Sequence, residues 1–360
     1  MGPLTELKER VIEAELVTPA LGVLLYSDYT TDELVSLGEL SEAVGYRWFW
    51  YTDVRFARDC YLGLAAVAAR TRHIRLGPGV TDPYSRHPAL TASAIATLDE
   101  MCGGRAALGL GTGGAGFREL GLQRPLPVAA MRETVEAVRA LLRGETVTLQ
   151  GKVITLAGGR LSFAPPRQDV PIYFATHGAQ VTRLAAQVAD GVLIANTLAP
   201  AAFAHYLEQL DAGFARAARD PAQFDIGLRV EACISDDNEA AYAVMRRRAA
   251  ARLLGQYPHW DHLTELGIAL PPAFTELAQS RPADAAERAA PLLPREAVET
   301  MVLAGDAESI ARQLAHALNP RITQLTVRPH AIEGQKIADV IRAFAEQVVP
   351  RAIELRERVS

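Results

Sequence analysis

Cysteine is scarce in this chain, and neither charge is concentrated. Three cysteines occur in 360 residues, Cys60, Cys102 and Cys233. They are widely separated and odd in number, which excludes a disulfide framework and any CxxC metal or redox pair. Lys and Arg number 37 against 42 Asp and Glu, a formal net charge of −5 that gives no electrostatic footprint for nucleic acid. No run approaches the ~18 apolar residues of a membrane span. The start, MGPLTELKERVIEAE, is polar and helical in pattern, without a signal-peptide core. Reduced thiols and this start predict a cytoplasmic protein that meets neither nucleic acid nor membrane. A GxGxxG after the first strand-like run, a Ser elbow and a His/Cys/carboxylate cluster are all missing. The signatures of a Rossmann domain, a serine hydrolase and a metal enzyme go with them. Apolar residues at 49% and charged residues at 22% exclude disorder.

What is present is an alternation of short β-rich runs and amphipathic helical stretches. Strands are expected at Leu21–Tyr26, Tyr46–Thr52, Ile74–Val80, Arg105–Gly111, Pro171–Ala175, Gly191–Ala195, Ile226–Ser235 and Ile322–Val327, each followed by a helix. Parallel strands need helical crossovers on their outer faces, so the pattern predicts an α/β fold, a (β/α)8 TIM barrel with insertions. A hairpin insertion is expected over about 146–163, around Gly151 and Gly158-Gly159. A long insertion over about 255–305, before strand eight, suits a lid or an oligomer contact. No linker or composition shift divides the chain, which reads as one domain over 1–360.

In such a barrel, ligands meet the carboxyl ends of the strands. After strand two comes Asp53, which can cap the following loop or belong to a site. After strand three comes GPGVTDPYSRHP, Gly77–Pro88. Its paired glycines permit a bulge or the close approach of a flat ligand, or merely a turn into the next helix, which His87-Pro88 starts. After strand four, GTGGAGF (Gly111–Phe117) offers uncrowded amides suited to phosphate, or a flexible turn. After strand five, THGAQ (Thr176–Gln180) opens a helix at an anion-favouring end. Asn196 follows strand six. Arg229 and Glu231 stand two apart in strand seven and share a face, as a structural ion pair or as catalytic groups. Arg328 and His330 end strand eight, where they can bind an anionic substrate or equally line the dimer or the surface. Tyr26 can donate a proton or stack. Trp48 and Trp50 read as core.

The segment GPGVTDPYSRHPALTASAIATLDEMCGGRAALGLGTGG (Gly77–Gly114) closely resembles the luciferase-like oxidoreductase superfamily, and within it the coenzyme F420-dependent methylenetetrahydromethanopterin reductase group. WFWYTD (Trp48–Asp53) and ATHGAQVTRLAAQVADGVLIANT (Ala175–Thr197) are similar to segments of the same group. The resemblance implies a small-molecule oxidoreductase, a homodimer, whose barrel holds a deazaflavin or flavin. A non-prolyl cis peptide, carried over to Gly79–Val80, would press against the central ring. Thr81 and Asp82 would meet the ring's polar edge. Thr112, Gly113 and Gly114, with His177, Gly178, Ala179 and Gln180, would hold the phosphate, and Asn196 would lie near the pyrimidine-type end. Asp53, Tyr26 and Glu231 are the catalytic candidates.

The departures are informative. Luciferase-type flavin enzymes often place an Arg in the fourth loop. Here it is Thr112, which favours F420 over FMN. The reductase group has a Glu where this chain has Leu24, and a His commonly follows the strand-two Asp where it has Val54. A substrate other than methylenetetrahydromethanopterin is therefore expected. The alternatives are an FMN-dependent monooxygenase and a cofactor-free binding or structural member of the family.

Overall fold

The computed structural model describes residues 18–114, 116–176 and 178–358; the helical-pattern start of the chain lies outside them. The first half of the barrel is β1 (Ala20–Leu25), α1 (Thr31–Ala43), β2 (Trp48–Tyr51), α2 (Cys60–Arg70), β3 (Arg75–Pro78), α3 (Pro88–Met101), β4 (Leu108–Leu110) and α4 (Pro127–Leu142). A two-stranded hairpin, β5 (Val147–Gln150) and β6 (Thr155–Gly159), separates it from β7 (Ile172–Thr176), α5 (Ala179–Val188), β8 (Gly191–Ala195), α6 (Pro200–Ala217) and β9 (Asp225–Ile234). The long α7 (Asn238–Gln256) then leads to four short helices, α8 (Asp261–Glu265), α9 (Pro272–Ser280), α10 (Ala285–Ala289) and α11 (Arg295–Glu299). The chain closes with β10 (Leu303–Gly305), α12 (Ala307–Ala317), β11 (Gln324–His330), α13 (Ile337–Ala343) and α14 (Val349–Glu357).

Eight strands pair in parallel in the order β3-β2-β1-β11-β9-β8-β7-β4, a near-closed barrel with helices between the strands. Covered on both faces, the strands read as unbroken apolar runs: every residue of Trp48–Tyr51 and of Gly191–Ala195 is buried. The helix starts are written in the sequence. Thr30 and Glu33 form a capping box at α1, Asp59 caps α2, and the His87 ring accepts from the Ala89 amide ahead of Pro88 at α3.

Strands three and four are shorter than expected, for a physical reason. Only two isolated bridges, Leu76–Ala106 and Thr81–Leu110, join them, so five steps along one strand face four along the other. The extra residue makes a bulge, and the Gly79–Val80 peptide within it is cis. Gly77 and Gly109 allow this approach: a Cβ on either would lie 1.8 Å from the Ala107 carbonyl oxygen or 2.1 Å from that of Pro78. The last barrel strand, β11, runs further than expected and carries Arg328 and His330 within it.

The long insertion has its own apolar core. Leu263, Phe274, Leu277, Val298 and Met301 bury against Leu253 of α7. Its final strand, β10, pairs with β9 outside the barrel path; three residues are too short for any periodicity to announce them.

Candidate active site

The carboxyl ends of β4, β7 and β8 and parts of the insertion surround a cavity of about 990 Å³. Thr112, Gly178, Ala179 and Asn196 all line it. At α5, no side chain among the described residues caps the first turn, and Gly178 sits in extended backbone with open space where a Cβ would stand. The first amides of that helix therefore face the cavity with their hydrogen-bonding capacity open, the arrangement that favours a phosphate. Gly113 has a φ of +67°, and a Cβ there would meet Phe117 and Asp82, so the turn requires glycine. Arg124 donates to the Gly113 carbonyl at 3.1 Å and adds a positive charge to the cavity wall, a contribution that the sequence did not single out. His177 lies outside the described residues. The residues present thus fit a phosphate-bearing cofactor.

The bulge packs down onto the barrel interior. A Cβ on Gly79 would lie 2.7 Å from Leu24 and equally close to Trp50. Leu24 is buried in an apolar group with Trp48, Trp50, Ala107, Tyr173 and Leu193, and the two indole rings stack at 5.3 Å. Val80 stays half-buried at the bulge, and a Cβ on Gly111 would touch its side chain. Thr81 locks the turn: its amide donates to the Gly109 carbonyl, its carbonyl accepts from the Gly111 amide, and its hydroxyl donates to Asp53 at 2.7 Å. Asp53 also accepts from Arg86 at 3.2 Å. The capping role falls to Asp59, while Asp53 ties the ends of β2 and β3 together. Asp82 is engaged by its own loop, accepting from the Tyr84 and Ser85 amides and the Ser85 hydroxyl, and by Arg55 from the loop after β2 at 2.6 Å.

Glu231 is 2% exposed and lies amid cations. One oxygen accepts from Asn196 at 3.2 Å, and Arg229 is 3.8 Å away. The other accepts from His330 at 2.9 Å and Arg248 at 3.2 Å, with Arg328 at 3.5 Å. Burial alone would favour the neutral acid. The His330 hydrogen bond and the three guanidiniums outweigh it and hold the carboxyl well below its ordinary value. Burial in turn keeps His330 below the usual imidazole value. Asn196 adopts a φ of +56°, which asparagine tolerates better than most residues, and its side chain bridges Glu231 and Arg229. The Arg328 guanidinium lies 3.7 Å from the centroid of the Tyr26 ring. Arg248 and the neighbouring Arg252 come from α7, where the sequence reads as an ordinary charged helix.

Comparison with known proteins places this barrel in a family. The model of the luciferase-like monooxygenase family aligns with residues 16–324. The chain belongs to that family. A luciferase-like relative named 5,10-methylenetetrahydromethanopterin reductase, from Archaeoglobus fulgidus, is 37% identical over 238 residues, 66% of this chain and 71% of its own. An F420-dependent glucose-6-phosphate dehydrogenase from Microbacterium testaceum is 26% identical over 91% of this chain and 94% of its own. Among solved structures, the coenzyme F420-dependent tetrahydromethanopterin reductase from Methanopyrus kandleri superposes with a TM-score of 0.80 at 26% identity, covering 93% of this chain and 99% of that one. The chain is thus a luciferase-like enzyme.

Proposed function

We propose that this enzyme is a coenzyme F420-dependent oxidoreductase that moves a hydride between the deazaflavin and a small organic substrate other than methylenetetrahydromethanopterin. The observation that carries the reading is the uncapped start of α5 in the wall of a cavity it shares with Thr112, beside the cis bulge at Gly79–Val80. The names of its relatives, F420-dependent enzymes among them, support the choice of cofactor.

When bound, the deazaflavin supplies the carbon that gives or takes the hydride. The chain's residues do the rest. The amides of Gly178, Ala179 and Gln180, with Thr112, Gly113 and Gly114, hold the phosphate. Gly79 and Val80 would support the ring, and Leu24 and the stacked tryptophans make a dry, apolar backing beneath the bulge. Thr81, held by Asp53 and Arg86, keeps the bulge in place, and Asp82 shapes the loop that follows. Asn196 orients the ring's edge. Glu231, held ionised by its neighbours, positions Arg229 and Asn196. Tyr26, at the end of β1, is the better proton donor of the candidates. Leu24 and Val54 leave the bulge without the acid and imidazole that the reductase group carries, which supports a different substrate.

The competing reading is an FMN-dependent monooxygenase, and oxygen uptake separates the two. Supplied with chemically reduced FMN in air, the protein is expected to add nothing to the oxygen consumption of the free reduced flavin. Oxygen consumption that depends on the protein and rises with added small organic substrates would establish the monooxygenase and end the F420 assignment.

A further inference from the structure

Three guanidiniums converge on a single carboxylate at the mouth of the barrel. Arg229 and Glu231 come from β9, Arg328 from β11 and Arg248 from α7. Among the described residues, Glu231 is the only carboxylate within salt-bridge distance of any of the three. Arginine does not give up its proton at neutral pH, so three positive charges face one negative charge. The guanidiniums are not solvated surface groups: the side chains of Arg229, Arg248 and Arg328 are 18%, 34% and 11% exposed. The Nε of Arg229 is buried without a hydrogen-bond partner.

An excess of two positive charges, mostly removed from water, is costly unless an anion completes it. The partly exposed edges of the guanidiniums show where that anion would enter. Asn196 lines the cavity and is bonded to both Arg229 and Glu231, so the cluster adjoins the cavity wall at the end of β8. The proposed function assigns other parts of that cavity wall, the uncapped start of α5 and the Thr112 loop, to the phosphate of the cofactor. Tyr26 lies under Arg328 and bounds the cluster on the β1 side.

We propose that Arg229, Arg248 and Arg328 form the substrate's recognition site, and that the substrate is an oxyanion, a small molecule carrying a carboxylate or phosphate group held by these guanidiniums. Planar guanidiniums match both groups with paired hydrogen bonds. Glu231 is the internal counter-ion that keeps the three aligned before the substrate arrives. The inference rests on the proposed function for what the bound molecule undergoes, but the binding itself can be read without it.

The test is a calorimetric titration at low ionic strength with inorganic phosphate and, separately, with malonate, on the full chain with and without F420 added. At least one anion is expected to bind both forms with a similar dissociation constant, and the better of the two names the group. R328Q and R248Q are expected to weaken that binding at least tenfold. Both variants relieve the charge excess, so their denaturation midpoints should stay near that of the parent and report that they fold. Absence of binding by both anions, or binding unchanged in both variants, would overturn the proposal. So would an anion site sensitive to R328Q and R248Q that disappears once the chain is saturated with F420, which would assign the cluster to the cofactor. Binding that competes with F420 and is insensitive to both variants belongs to the start of α5. F420 binding is followed independently by its own fluorescence. Loss of that signal with anion binding intact would refute the cofactor assignment and leave the anion site standing.

Discussion

Replacing Glu231 with glutamine lowers the stability of the fold by about 3–5 kcal/mol, the cost of leaving buried charges without their counter-ion. The residue is 2% exposed, accepts from Asn196, His330 and Arg248, and lies within 4 Å of Arg229 and Arg328. Glutamine keeps the shape and one acceptor but brings no charge, so three guanidiniums then repel one another at close range. Chemical denaturation followed by circular dichroism measures the loss. The pH dependence follows from the same geometry. The carboxyl of Glu231 is held well below the ordinary value of 4.5 in the folded chain. Its contribution is therefore complete above that ordinary value and is lost as pH falls through the lower, folded value. The parent should lose stability over this acid range, and the E231Q variant should lose less over it. A midpoint for E231Q equal to that of the parent at pH 7 would mean that the cluster is more hydrated than its burial indicates.

The second large effect separates binding from stability. Gly178 is the N-cap of α5, in extended backbone with nothing near its missing Cβ, and no side chain among the described residues caps the helix. Aspartate is among the best N-cap residues and glycine only slightly worse, so Gly178→Asp should leave stability unchanged or raise it by a few tenths of a kcal/mol. Its carboxylate would take up the amides that are otherwise open to the cavity and repel a phosphate placed there. F420 affinity is expected to fall about 100-fold, consistent with the several kcal/mol that juxtaposed like charges cost. Thermal denaturation and fluorescence titration on one preparation give both signs. Equal affinity in the variant would move the phosphate elsewhere in the cavity.

The barrel was legible because it is written in runs that only a doubly covered parallel strand tolerates, such as WFWY and GVLIA, set between helices with explicit caps. The helix Cys60–Arg70 and the start at His87-Pro88 stand where the spacing put them. The bulge was legible as a glycine pattern. Its effect on strand length was not, because the mismatch between β3 and β4 arises from pairing rather than from either run alone. The arginine cluster was legible only in part. Arg229 and Glu231 share a face by strand alternation, and Arg328 stands beside Glu231 in the register of β9 and β11. Arg248 lies in RRR, within a helix whose charges look like a solvated face, and only the packing of α7 over the barrel mouth brings it to Glu231. The buried residues Ala249, Ala250 and Leu253 around it were the available signal that this face turns inward. Arg55 and Arg124 show the same limit. Each acts on a loop remote in sequence, Asp82 for one and Gly113 for the other, and local pattern does not join them.

The measurement that tests the account most directly is a pair of fluorescence titrations of the purified chain, one with F420 and one with FMN, at equal ionic strength. The account predicts saturable binding of F420, with affinity at least tenfold above that for FMN, and a fall of about 100-fold in that affinity in Gly178→Asp. Tight binding of FMN with none of F420 would contradict it.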